Sequence, residues 1–230
     1  MARTARLSVA GEFHLVTLEG RGAVFTDEAD CVGFLAALAE ELRAQPGVAL
    51  CAWVLMPSQV RLLAVPETAE ALSALMQGLG RRWVPQYNSR HGLAGSPWVG
   101  RYRSAPVDPE WALRAMRAVE SGPVRSGITE RAWEYRWSSC AERVSGAPPL
   151  LELAETEAWW ALGNTPFDRQ TRSMAFLAEG ESESWARELE TALSRGRPYG
   201  SEAWMDRAGI PASRRPTGRR PGRPRKKPLG

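Results

Sequence analysis

At 230 residues, 43% apolar and 24% charged, the chain has the material for one sizeable core with appendages, and that composition excludes disorder throughout. The net charge of +4 is unevenly placed: eight cationic residues and no acid fall within the last 17 positions, so the rest of the chain carries a net −4. A basic arm on an acidic body points to a polyanionic partner, nucleic acid above all.

The expected elements begin with Phe13 to Leu18, which alternates, is rich in β-formers and stops at Gly20-Arg21-Gly22, so it reads as a strand and turn. Thr26 or Asp27 then caps a helix that carries Cys31, Phe34, Leu35, Leu38 and Leu42 at helical spacing. Val48 to Leu55 and Val60 to Val65 are apolar runs separated by Met56-Pro57-Ser58-Gln59, as in a strand pair. A second helix runs from about residue 69 to 87, with Leu72, Leu75, Met76, Leu79 and Trp83 on one face. A loop over 92–100, a strand over 101–107 and a third helix over about 109–121 follow. The order β-α-β-β-α-β is that of an α+β ferredoxin-like sandwich, with helices on one face of an antiparallel sheet and the other face open to a ligand.

Residues 1–146 are expected to form this domain and 147–211 a helical extension, with helices over about 155–162, 167–179 and 183–195. The last of these is capped by Ser182, closed by Gly196 and striped by Trp185, Leu189 and Leu193. With a short helix capped by Ser201 it has the outline of a helix-turn-helix. Residues 212–230, dominated by Pro, Gly and Arg, are expected to be a disordered basic tail.

Cys31, Cys51 and Cys140 are far apart and lack metal or redox spacing, so they read as buried, reduced thiols. No segment reaches the roughly 18 apolar residues of a membrane span, and no leader is evident, so a cytoplasmic, nucleoid-associated protein without membrane partners is expected. The oligomeric state stays open, a monomer included.

Leu55-Met56-Pro57-Ser58-Gln59-Val60-Arg61-Leu62-Leu63 resembles the hallmark strand Met-Pro-Asn-His-x-His-Leu-Leu of the REP-associated tyrosine transposases, single-strand endonucleases of the HUH class. Further matches occur in that family's order: the strand around His14, Tyr87 to Gly92, Gly100-Arg101-Tyr102, Pro123 to Gly127, Trp137-Ser138-Ser139, and Gly196 to Ser201. The resemblance spans about residues 1 to 205 and implies a ferredoxin-like DNA-binding domain. It also implies a divalent cation, such as magnesium, held by two strand histidines, and a helix tyrosine that attacks a DNA phosphate. At those positions this sequence has Gln59, Arg61 and, a dozen residues before the Pro-Val-Arg signature, Trp111. A guanidinium about 5 Å from a divalent ion would oppose it by roughly 7 kcal/mol at an effective dielectric near 20. Trp111 has no ionisable hydroxyl. The resemblance therefore implies a degenerate catalytic site without a metal, and Trp111 is either a packing aromatic or a base-stacking one. An active enzyme would need a substitute such as Tyr102, Tyr87 or His14, and a third reading is a protein- or RNA-interaction module.

From Ala71 to Val107 there is no acid, and Arg81, Arg82, Arg90, Arg101 and Arg103 are interleaved with Trp83, Tyr87, Trp98 and Tyr102. Cations with stacking rings suit single-stranded or hairpin DNA; the alternative is a solvated helix face over a core of aromatics. His91 is either a phosphate contact or incidental. The tail, with Arg219, Arg220, Arg223, Arg225, Lys226 and Lys227 around a Gly-Arg-Pro centre, resembles an AT-hook for duplex DNA, apart from Pro221 where arginine is usual. The other reading is a plain basic tail.

Overall fold

The structure, a computed structural model, describes residues 6–216. The first unit is β1 (Phe13–Glu19), α1 (Glu28–Ala44), β2 (Val48–Met56), β3 (Gln59–Pro66), α2 (Ala71–His91) and β4 (Arg103–Val107). All strand pairs are antiparallel and the order is β2-β3-β1-β4, the expected ferredoxin-like sheet. Asp27 is the cap of α1, its Oδ1 accepting from the Asp30 amide at 3.0 Å. Asp30 in turn accepts from the Thr26 amide and hydroxyl at 3.0 and 2.8 Å, which fixes the angle at which the chain enters the helix.

The strand pleat sorts the core into two. Val16, Leu18, Val60, Leu62, Trp53 and Leu55 face α1 and α2 and pack on Phe34, Leu38, Leu72 and Leu79. Leu15, Leu63, Val54 and Val107 point the other way. This second face, expected to be open, is instead covered by α3 (Ala112–Glu120) through Ala115, Met116 and Val119, and by a later helix, α8 (Glu183–Arg195), through Leu189 and Leu193. The cause is the strands themselves: apolar residues at successive positions of β2 and β3 put apolar side chains on both faces, so much of the second face also has to be buried. Burying a leucine is worth about 1.5–3 kcal/mol, so the two leucines of α8 alone supply several kcal/mol for its docking.

The intervening elements are α4 (Gly122–Arg125), α5 (Ser139–Ser145), α6 (Glu157–Trp160) and α7 (Pro166–Glu179), and α9 (Glu202–Arg207) follows α8. The Trp137-Ser138-Ser139 stretch closes the free edge of β2: the Leu55 amide donates to the Trp137 carbonyl at 2.9 Å and the Trp53 amide to Ser139 Oγ at 3.0 Å. At the opposite edge, the chain after α8 is fastened to β4. The Tyr199 amide donates to the Pro106 carbonyl at 2.8 Å, and the Asp108 amide to the Tyr199 carbonyl at 3.0 Å. Buried Asp108 Oδ2 accepts from the Ser201 amide and hydroxyl at 3.0 and 2.7 Å. Gly200 permits this approach, since a Cβ there would lie 2.6 Å from that of Asp108. These bonds bring Arg195 and Arg197 beside β4.

Candidate nucleic-acid interface

Gln59 and Arg61 lie on the second sheet face, in rows with Glu19 and Met56 and with Thr17, Val54 and Arg103. Arg61, buried, donates through Nε to Gln59 Oε1 at 2.7 Å and through Nη1 to Glu190 of α8. Both side chains are therefore spent on holding α8, and they do not fit a divalent cation: the one neutral oxygen is taken by a guanidinium that occupies the adjacent position. Arg125 and Arg117 extend the network, each 3.7 Å from the buried carboxylate of Glu181. Burial pushes that carboxyl up and holds both guanidinium groups below their usual range.

Trp111 does not join them. It packs against Tyr199 at 4.8 Å between ring centroids, beside the end of the sheet where Phe13 pairs with Val107. Phe13 is four residues from Thr17, so the two rows are about 13 Å apart along the strand. From there α3 runs back to the other end, where Gly122 abuts Met56 and Val54. The α3 residue that shares a cavity with Arg125 and Glu190 is Ala118, a methyl group. Counting a dozen residues back from the Pro-Val-Arg signature thus leads to the Phe13–Val107 end of the sheet, away from Gln59 and Arg61.

The acid-free stretch is neutralised from elsewhere in the chain. Arg82 pairs with Glu40 and Glu41, and Arg90 with Asp27 and Asp30. His91 is likewise engaged, 2.7 Å from Asp30. Burial opposes ionisation of Asp30, but hydrogen bonds from His91, Thr26 and Arg90 hold its pKa at about 2. Tyr87, Trp83 and Trp98 are core rings: Tyr87 stacks on Trp83 at 4.8 Å, and Trp83 meets Trp98 at 5.3 Å. Tyr102 is buried, its hydroxyl sharing a hydrogen bond with Ser73 Oγ at 2.9 Å and its ring lying under the Arg6 guanidinium at 3.8 Å. Trp83 is the core residue its helix stripe implies, and Tyr87, Trp98 and Tyr102, read as stacking partners for bases, are likewise packed against protein. Tyr87, Tyr102 and buried His14 are each engaged by neighbouring side chains or backbone. Arg81 is exposed on α2.

Arg101 and Arg103 are placed differently. Both line an open cleft of about 610 Å³ between β4, the end of α8 and the 213–214 segment, together with Arg6, Arg195, Arg197 and Arg214. No acidic residue lines it. Arg103 also contacts Glu19 at 3.1 Å, whereas Arg101, Arg195 and Arg197 have no ion-pair partner among the described residues. Like charges gathered in one cleft repel one another, and a bound anion would relieve that repulsion. Sequence reasoning missed Arg195 and Arg197 as cleft residues. The signal was the Arg195-Gly196-Arg197 turn itself, where Gly196, at φ 59°, stops α8 and reverses the chain. Arg219, Arg220, Arg223, Arg225, Lys226 and Lys227 lie outside the described residues. No helix of the described residues is long and apolar enough to cross a membrane.

Among solved structures, the fold is similar to that of a REP-associated tyrosine transposase bound to a REP hairpin, at 17% identity over 67% of this chain and 93% of that one, with a TM-score of 0.52. At that identity the likeness shows a shared fold. A candidate transposase from Deinococcus radiodurans R1 matches at 22% identity over 56% of this chain and 94% of its own, with a TM-score of 0.34, too low to carry an argument. No protein-family model and no curated protein matches the chain.

Proposed function

We propose that this protein binds DNA, as hairpins or single strands, through the arginine-lined cleft beside β4, and that it does not nick the DNA it binds. The observation that carries the reading is the meeting of six arginines, from four separate parts of the chain, in one cleft without an acid. Neutralising phosphates releases counterions, and this is the usual driving force for such surfaces. The shared fold adds weight, because the similar solved protein is described with a bound REP hairpin. Against nicking stands the ion network of Arg61, Gln59 and Glu190, with Ala118 the α3 residue that lines the neighbouring cavity. The chemistry of strand cleavage needs a polarising cation and an ionisable hydroxyl, and neither is provided by these groups. The six cationic residues after position 217 support a further contact with duplex DNA and an association with the nucleoid.

The test is a pair of assays on the full chain. Labelled hairpin and single-stranded DNA should bind and be released by salt. In the presence of magnesium no covalent protein–DNA adduct should form. A denaturant-resistant adduct would overturn the second half of the proposal, and absence of binding at moderate salt the first.

A further inference from the structure

Apart from Tyr102 and Leu193, the cleft is lined by arginine, serine and glycine alone. Side chains that read base edges are of few kinds, amides for adenine, carboxylates for cytosine, an arginine fork for guanine and serine or threonine hydroxyls, and of these arginine and serine serve phosphate oxygens as well. The lining holds neither an amide nor a carboxylate. Stacking needs an exposed ring, and the one ring here is buried, with the Arg6 guanidinium over its face and its hydroxyl engaged by Ser73. Trp83, Tyr87 and Trp98, the other aromatics of the same stretch, are sealed in the core beneath α1 and α2. What the cleft offers is charge, a set of guanidinium forks shaped for phosphate oxygens.

We infer that the cleft takes the sugar–phosphate backbone of a single strand and leaves its bases unread, so that its ligand class is any phosphodiester strand, RNA as well as DNA. This rests on the nucleic-acid reading of the cleft and narrows it: whatever sequence or strand-type preference the full protein shows arises outside this site. Ser194 lines both the cleft and the neighbouring cavity that holds Arg125, Glu181 and Glu190, and the two carboxylates there mark the edge of the acid-free surface.

The experiment uses the full chain and its Arg101→Ala/Arg195→Ala/Arg197→Ala variant, checked for native far-UV and near-UV circular dichroism. Three probes of equal length are compared: a mixed-sequence single-stranded DNA containing guanine, the corresponding RNA, and an abasic DNA that keeps the phosphates and lacks the bases. The ratio of wild-type to variant affinity isolates the cleft's share from that of the tail. That ratio should agree within about twofold across all three probes, and Arg→Lys at the same three positions should restore most of the affinity, since a point charge serves a phosphate. One stacked or edge-read base would separate the DNA from the abasic probe by about tenfold. A tenfold smaller ratio on the abasic probe, or on either DNA or RNA alone, would overturn the inference while leaving the cleft a nucleic-acid site. Wild type failing to bind any probe would instead sink the underlying proposal.

Discussion

If Arg61 pins α8 to the sheet, then replacing Glu190 by Gln removes its carboxylate partner while keeping the shape of the side chain. Contacting charges near 4 Å interact by about 4 kcal/mol at the effective dielectric of a protein surface. Arg61 is 9% exposed and Glu190 47%, so solvent reaches one side of the pair and reduces that figure toward the range below 1 kcal/mol measured for open pairs. The expected coupling in a double-mutant cycle of Arg61→Met and Glu190→Gln is therefore about 1–2 kcal/mol. For a chain of this size Glu190→Gln should lower Tm by about 2–8 °C. Thermal and urea unfolding read the stability, and anisotropy with single-stranded DNA as a function of salt reads the function. Neither variant should alter the salt slope, because Arg61 is not part of the cleft lining. The reasoning is refuted by a coupling under about 0.5 kcal/mol, or by a slope that flattens by about 0.7 to 0.9 in Arg61→Met, the signature of one phosphate no longer neutralised.

Buried His14 accepts from the Val9 amide at 3.1 Å, and burial holds its pKa at about 4 although its bond to the Glu12 carbonyl opposes this. Its folded pKa lies below the ordinary 6.5, so the unfolded chain takes the proton first; stability is full above pH 6.5 and should fall by about 3 kcal/mol as the pH drops to 4, as checked by urea unfolding across that range. Gln59→His, Arg61→His and Trp111→Tyr combined should form no covalent DNA adduct in magnesium, because Trp111 packs on Tyr199 by the Phe13–Val107 end of the sheet, and the rows of Arg61 and Gln59 lie four and six residues further along β1, about 13 and 20 Å; an adduct on denaturing gels would show that the groups converge. Arg82→Ala and Arg90→Ala should leave DNA affinity within about twofold and lower stability instead, since their charges are met by Glu40, Glu41, Asp27 and Asp30; a fall in affinity comparable to that of the cleft variants would contradict this.

Much of the fold is legible in the chain because the β1 alternation, the Asp27 cap and the α2 stripe are local signals read at spacings of two and 3.6. The docking of α8 is not. Trp185, Leu189 and Leu193 announce that the helix packs, but a stripe carries no address, and the partner residues on β4 and α3 precede it by some 70 positions or more. The interface was legible only in part for the same reason. Arg101 and Arg103 stand in an acid-free window together with Arg82 and Arg90, yet the acids that silence the latter pair lie in α1, brought alongside by the packing of α1 on α2. Likewise Tyr87 and Tyr102 have the composition of a stacking platform, and only their burial distinguishes them from one. Residues 196–201 are marked by resemblance, but their work, fastening the chain to Pro106 and Asp108, becomes visible only with β4 in place.

The central claim is that the arginine cleft grips phosphates, and the salt dependence of single-stranded DNA binding tests it most directly. With the full chain compared against the Arg101→Ala/Arg195→Ala/Arg197→Ala variant, the slope of log affinity against log salt should become shallower by about 2, since each phosphate neutralised on a single strand accounts for roughly 0.7. Affinity at moderate salt should fall with it. An unchanged slope and affinity in a natively folded variant would place the DNA-binding surface elsewhere and contradict the account.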